Sequence, residues 1–272
     1  MTNSIKVLLC SLALSVAGCD TLGRWKSAGT SALLDFIPRE VDKSIGEIAE
    51  KTQGGGGLNG QVPPQAREYL NQLAEPLLRQ VSIPPLEMKL EVAQSAVPNA
   101  YAFPHGRIVV TSKLLQISKS PEEILAVLSH ELAHVAQRHS MQQLLAQAGT
   151  SLAINMVFGD FGALTEVIGT GGQLLGLKFS RDHEREADAL GADFLRKAKL
   201  PLGGVADFFQ RMQEYEASKV DLSEGAQILS FLSTHPPTAE RIEAARKLVS
   251  EPDAKTPVAQ REAYQKLKTI FK

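Results

Sequence analysis

Cysteine is nearly absent: two occur in 272 residues, at positions 10 and 19. A disulfide-built fold and a cysteine catalyst in the body of the chain are excluded by that alone. A charge excess is missing too, since 29 Lys and Arg stand against 30 Asp and Glu. Binding of nucleic acid through a basic face therefore has no support. No clean apolar run of about 18 residues occurs, so no transmembrane helix is expected. What remains is ordinary globular composition, 43% hydrophobic, enough for one large domain or two small ones.

The opening stretch MTNSIKVLLCSLALSVAGCD has a lysine, then an apolar run from Val7 to Ala17, then Gly18-Cys19. The run is too short to span a bilayer and fits a signal segment. Val16-Ala17-Gly18-Cys19 resembles the lipobox of bacterial lipoproteins, whose cysteine is acylated and becomes the mature N-terminus. On this reading residues 1–18 are a signal peptide, Cys19 carries the lipid and Cys10 is discarded. Each buried methylene would add about 0.8 kcal/mol of membrane affinity. Residues 19–63 read as a flexible tether. It holds a weakly amphipathic stretch from Leu33 to Glu50, four glycines at 54–57 and Pro63-Pro64, so the folded domain is expected to begin near Pro64.

The expected domain covers 64–250. A helix follows Pro64 to about Gln80. Alternation from Leu86 to Val92 marks a strand, and NAYAFPHGRIVVTS reads as two more strands joined at Pro104-His105-Gly106. From Pro121 the pattern is helical, with Ser120 as N-cap, proline at the first position and Glu122 and Glu123 in the first turn. A small sheet followed by many helices argues an α+β fold. Residues 141–179 are apolar, glycine-rich and almost uncharged. They read as a helical hairpin or lid rather than a membrane-dipping segment, because the glycines break the apolar run. Residues 251–272 read as a terminal helix with no assignable chemistry.

LSHELAHVAQRHS contains His130-Glu131-Leu132-Ala133-His134. On a helix, residues four apart differ by about 40° in azimuth. His130 and His134 can therefore address one ion, while Glu131, about 100° round, reaches a water beside it. Two imidazoles plus a carboxylate suit one zinc per chain, with a fourth position open. Ile124, Leu125, Leu128, Leu132 and Val135 define the buried stripe, so the two histidines are expected to face a cleft or solvent. His139, about 140° from His134, is read as a structural or surface histidine.

The third ligand is sought in SRDHEREADALG (180–191). Ala187, Leu190, Gly191, Phe194 and Ala198 form that helix's buried stripe. Glu186 and Asp182 are expected in solvent, whereas His183 and Glu184 flank the stripe equally. A metal-bound histidine usually gives its other N–H to a carboxylate. Glu184 and Asp188, four apart, can supply a ligand and such a partner together, which favours Glu184. His183 stays unsettled, near the site without binding the ion.

With these residues in place, the chain resembles the gluzincin metallopeptidases of the HtpX, Oma and CAAX-prenyl-protease type, and in particular their LoiP/BepA-like lipoprotein branch. NAYAFPHGRIVVTSKLL (99–115) and STHPPTAERI (233–242) match further segments of the family. The resemblance runs over about residues 65–245. It implies a zincin-like, mostly helical α+β fold with a three- or four-stranded sheet beside the active helix. It also implies zinc held by His130, His134 and Glu184, Glu131 as general base and acid, and His235 as transition-state stabiliser or inhibitory fourth ligand, with Arg241 near it. The strand carrying Asn99, Ala100 and Tyr101 should be a sheet edge able to pair with extended substrate.

The expected function is therefore a zinc endopeptidase facing the periplasm and held by its lipid. It would serve protein quality control by degrading unfolded or misfolded envelope proteins. The alternative is a chaperone or assembly factor on the same scaffold with latent or weak proteolysis.

Overall fold

A computed structural model of the chain describes residues 34–35, 37–52, 62–148, 178–218, 231–248 and 254–272. The signal segment, Cys19, the tetraglycine and 149–177 of the expected lid lie outside the described residues. In chain order the elements are α1 (Arg39–Thr52), α2 (Pro64–Leu78), β1 (Lys89–Ala93), β2 (Ala100–Ala102), β3 (Arg107–Thr111) and α3 (Ser112–Ile117). Then follow α4 (Pro121–Ala136), α5 (His139–Ala148), α6 (Arg181–Lys197), α7 (Gly204–Ala217), α8 (Phe231–Thr234), α9 (Ala239–Leu248) and α10 (Val258–Ile270). The architecture is the expected zincin-like α+β arrangement, mostly helical with one small sheet. No described helix is long and apolar enough to cross a membrane.

The sheet has the order β1-β3-β2, with β1 parallel and β2 antiparallel to β3. Tyr101 lies opposite Val109 and Leu90 opposite Ile108. β2 is thus an outer strand, and it packs against α4.

α4 begins as its sequence requires: Ser120 Oγ accepts the Glu123 N–H at 3.3 Å, and proline fills the first turn. Its burial, however, corrects the expectation of a single stripe. Every residue from Glu123 to Val135 is buried, including His130, Glu131 and His134. Leu125, Leu128 and Leu132 join the main core, which also takes in residues of α2 and β1–β3. α6 and α7 pack on α4 as well. The histidines are therefore walled in by α6 and the α8–α9 segment, not open to solvent. α6 comes close because Gly191 has no side chain: a Cβ there would sit 3.1 Å from the Ser129 carbonyl.

Two segments expected outside the domain belong to it. α1 falls in the supposed tether, yet Val41, Ile45 and Ala49 are buried along one face. Its Asp42 accepts two hydrogen bonds from Arg138, at 2.9 and 2.6 Å, and Arg138 also donates to the carbonyls of Leu34 and Ile37. α10 buries Ala263, Tyr264 and Leu267 in the main core. Lys268 Nζ gathers the carbonyls of Leu115, Gln116 and Ser118 at the C-terminal end of α3 at 2.7–2.9 Å, where a helix end lacks backbone donors.

Candidate metal centre

α4 presents His130 and His134 one turn apart, α6 brings Glu184, and the residue after α8 is His235. The structure gathers these four into one buried cluster whose donor atoms all lie within 4.8 Å of one another. The Nε2 atoms of His130 and His134 are 2.9 Å apart. His235 Nδ1 lies 3.2 Å from His130 Nε2 and 3.0 Å from Glu184 Oε1. Glu184 Oε1 is 3.5 Å from His134 Nε2.

These separations test the fit to a metal. Four donors on an ion at bond lengths of about 2.0–2.1 Å stand about 3.3 Å from one another in a tetrahedron. Four of the six edges are 2.9–3.5 Å, and no pair of donors exceeds 4.8 Å. Three imidazole nitrogens and a carboxylate oxygen converging at that spacing fit a divalent cation of the transition series.

The electrostatics agree. Burial opposes a charge on His130, yet the hydrogen bonds it gives to Asp188 and Glu184 carry its pKa up to about 9. Burial pushes His134 well below the ordinary value, with His130 adding to the fall. Burial also works to raise Glu184, but His235 and its three histidine hydrogen bonds hold its carboxyl far below the usual range. The pocket is built around positive charge.

Asp188, one turn beyond Glu184, sits with Oδ1 at 3.0 Å from His130 Nδ1. Arg241 donates to both Asp188 oxygens at 2.6 and 2.8 Å. It also reaches Glu184 Oε2 at 2.5 Å and the Pro236 carbonyl at 3.0 Å. One guanidinium thus ties a candidate ligand, the carboxylate behind His130 and the loop bearing His235.

Glu131 is completely buried, and neither carboxylate oxygen has a hydrogen-bond partner among the described residues. Burial raises its pKa. His235 Nε2 lies 3.6 Å from its Oε1. A buried carboxylate left unsatisfied is costly, and one placed beside a cation site is suited to take and return a proton.

The remaining sequence candidates fall as follows. His183 is buried but outside the cluster; its Nε2 lies 3.1 Å from Gln142 Oε1. Asp182 pairs with Arg185 at the surface. Glu186 is exposed as expected, yet its Oε2 reaches His139 Nε2 at 3.2 Å. His139 is fully buried with Nδ1 2.9 Å from His134 Nδ1, which removes the surface reading. Sequence reasoning also missed Phe179, stacked on His134 at 4.1 Å, and Phe231, stacked on His235 at 4.4 Å.

Just before β2, Asn99 is buried and its Oδ1 accepts the Ala100 N–H at 2.8 Å. Its backbone N–H donates to Thr111 Oγ1, so Asn99 serves the sheet rather than a cleft. Ala100 is buried too, and Tyr101 is half-buried. Burial raises the Tyr101 hydroxyl pKa, Asn99 opposing and the Glu131 carboxylate adding.

A helix-borne HExxH with a glutamate from a second helix and a buried carboxylate free of hydrogen bonds among the described residues defines a metallohydrolase centre of the gluzincin kind. Comparison of sequences gives the family: residues 64–249 match Peptidase family M48, and the chain belongs to it. It is 30% identical to the Metalloprotease LoiP of Escherichia coli, over 88% of this chain and 94% of that protein. It is 30% identical to a Protease HtpX homolog of Persephonella marina, over 70% of this chain and 79% of that protein. Against the Mitochondrial metalloendopeptidase OMA1 of Schizosaccharomyces pombe it is 27% identical, spanning 82% of this chain but 64% of that one. Metallopeptidase character follows from the family.

Proposed function

We propose that the chain is a zinc endopeptidase that hydrolyses unfolded or misfolded envelope proteins on the periplasmic side, held to a membrane by a lipid on Cys19. The observation that carries the catalytic part is Glu131, buried without a hydrogen bond among the described residues beside four converging donors. His130, His134 and Glu184 are the ligands. A zinc held there would supply Lewis acidity to the scissile carbonyl and to the attacking water. Glu131 takes the water's proton and returns it to the leaving amine. His235, stacked on Phe231, with its loop anchored through the Arg241–Pro236 contact and its Nε2 toward Glu131, is the group that stabilises the developing oxyanion. β2, as an outer strand, offers backbone groups from Tyr101 onward to an extended chain. The lipobox and the relatives named as bacterial proteases support the envelope setting.

One observation favours a second reading. His235 Nδ1 lies among the donors as a fourth one, the arrangement of a latent centre in a protein that chiefly binds clients. Casein cleavage by the purified chain against Glu131→Gln separates the two. The variant should keep its zinc and lose about 10²–10⁴-fold in rate. Equal cleavage, or none by either with zinc bound, overturns the peptidase reading, and palmitate labelling with and without Cys19→Ala reads the anchor.

A further inference from the structure

His130 and His134 are not oriented in the same way. Behind His130 stands Asp188, with Oδ1 at 3.0 Å from Nδ1. Behind His134 stands no carboxylate but a second imidazole, His139, with its Nδ1 at 2.9 Å from His134 Nδ1. His139 Nε2 in turn lies 3.2 Å from Glu186 Oε2, on a side chain 54% exposed. His139 is itself held in plane, its ring stacked on His183 at 4.5 Å and 17°. His183 is fixed by the Gln142 amide.

The order of protons along this line follows from what each group can donate. A carboxylate only accepts, so His139 carries its proton on Nε2 and gives it to Glu186. His139 Nδ1 is then bare and accepts, so His134 carries its proton on Nδ1. That leaves the His134 Nε2 lone pair aimed at the cluster centre, where a ligand must have it. We propose that the His139–Glu186 pair positions His134, fixing its tautomer and ring plane through a carboxylate–histidine–histidine line that ends at the protein surface.

The geometry gives this line a clear counterpart in the Asp188–His130 contact, so each ligand histidine has its own carboxylate, one direct and one relayed. His139 can occupy this place because the chain leaves α4 at Gln137 and Arg138 takes the left-handed conformation, φ 58°. The break swings His139 back beneath His134 instead of a further 100° around the helix. Arg138 is pinned there by Asp42 and the Leu34 and Ile37 carbonyls.

The inference rests on the metallopeptidase reading of the site, and the test keeps the two apart. Glu186→Ala removes the acceptor from a side chain 54% exposed, so folding is not at stake; Asp182→Asn, an acid of the same helix turn that pairs with Arg185, is the control. Zinc affinity is measured by chelator competition. Histidine proton positions are read by long-range nitrogen–proton NMR on the zinc-loaded Glu131→Gln protein. His134 should be protonated on Nδ1 and His139 on Nε2. Glu186→Ala should weaken zinc about tenfold, the lower end for loss of such a partner, and Asp182→Asn should not. A His139 protonated on Nδ1, or zinc affinity unchanged in Glu186→Ala, overturns the inference while leaving the peptidase reading intact. Failure of the unsubstituted chain to take up zinc removes the peptidase reading itself, and this inference with it.

Discussion

Arg241 is 3% exposed, and its guanidinium holds Asp188 with a two-pronged contact while touching Glu184 and the Pro236 carbonyl. Its guanidinium lies over the Phe209 ring, with the central carbon 5.0 Å from the ring centre. Removing one member of a buried ionic group leaves the others charged without a partner, which costs about 3–5 kcal/mol. Arg241→Met is therefore expected to lower metal-free stability by about that amount, measured by urea unfolding. Adding Asp188→Asn should recover part of it, because one stranded charge disappears. Arg241→Lys should not rescue, since an ammonium cannot serve a planar fork. A loss below about 1 kcal/mol for Arg241→Met would show that the contact is solvated and not structural. At this scale helical phase set Glu186 outward on α6 but left His183 and Glu184 level, and only the four-residue interval to Asp188 favoured Glu184. It could not reach His139, because phase is lost where Arg138 breaks the helix. It also could not show that exposed Glu186 still reaches a buried imidazole.

Elements are legible when one face is apolar and one polar, and α4 fails that condition on purpose. Its stripe of Ile124, Leu125, Leu128 and Leu132 reads correctly as core. The face carrying His130, Glu131 and His134 reads as turned to a cleft or solvent, because no local pattern reveals that α6 and the α8–α9 segment will cover it with compensating charges. Close packing of helices on α4 depends on glycine at the contacts. At Gly204, the first residue of α7, a Cβ would fall 2.2 Å from the Glu122 carbonyl oxygen. The two nearest atoms are the Glu122 carbonyl itself, helix backbone that cannot yield as a flexible side chain would. Gly204→Ala should therefore displace α7 from the start of α4 and cost about 1–3 kcal/mol, the usual penalty of overpacking. The urea midpoint should fall with the slope unchanged. A midpoint equal to that of the unsubstituted chain would mean that the Gly203–Gly204 turn shifts freely. α1 was missed for a related reason. Val41, Ile45 and Ala49 form a plain apolar stripe, but glycines at 54–57 suggested a tether, and the partner that makes the stripe worth burying, Arg138, lies about a hundred residues away.

Across the whole molecule the candidate ligands come from three places: α4 supplies His130 and His134, α6 supplies Glu184, and the residue after α8 supplies His235. An ion held by them cross-links elements separated by 50 residues or more along the chain, so its binding free energy is added to folding free energy. The unfolded chain cannot hold the same four donors at once. At free zinc a thousandfold above the dissociation constant, the folded state gains about 4 kcal/mol. For a domain of this size each kcal/mol moves the melting midpoint by about 2–4 °C, so zinc should raise it by about 8–16 °C and a chelator should reverse the rise. The same measurement apportions the ligands. Glu184→Ala should abolish the zinc-dependent rise, since α6 is then no longer joined to α4 through the ion. His183→Ala should leave the rise in place, because His183 spends its Nε2 on Gln142 and stands outside the cluster. A rise that survives Glu184→Ala but vanishes in His183→Ala would move the third ligand one residue along α6 and redraw the site.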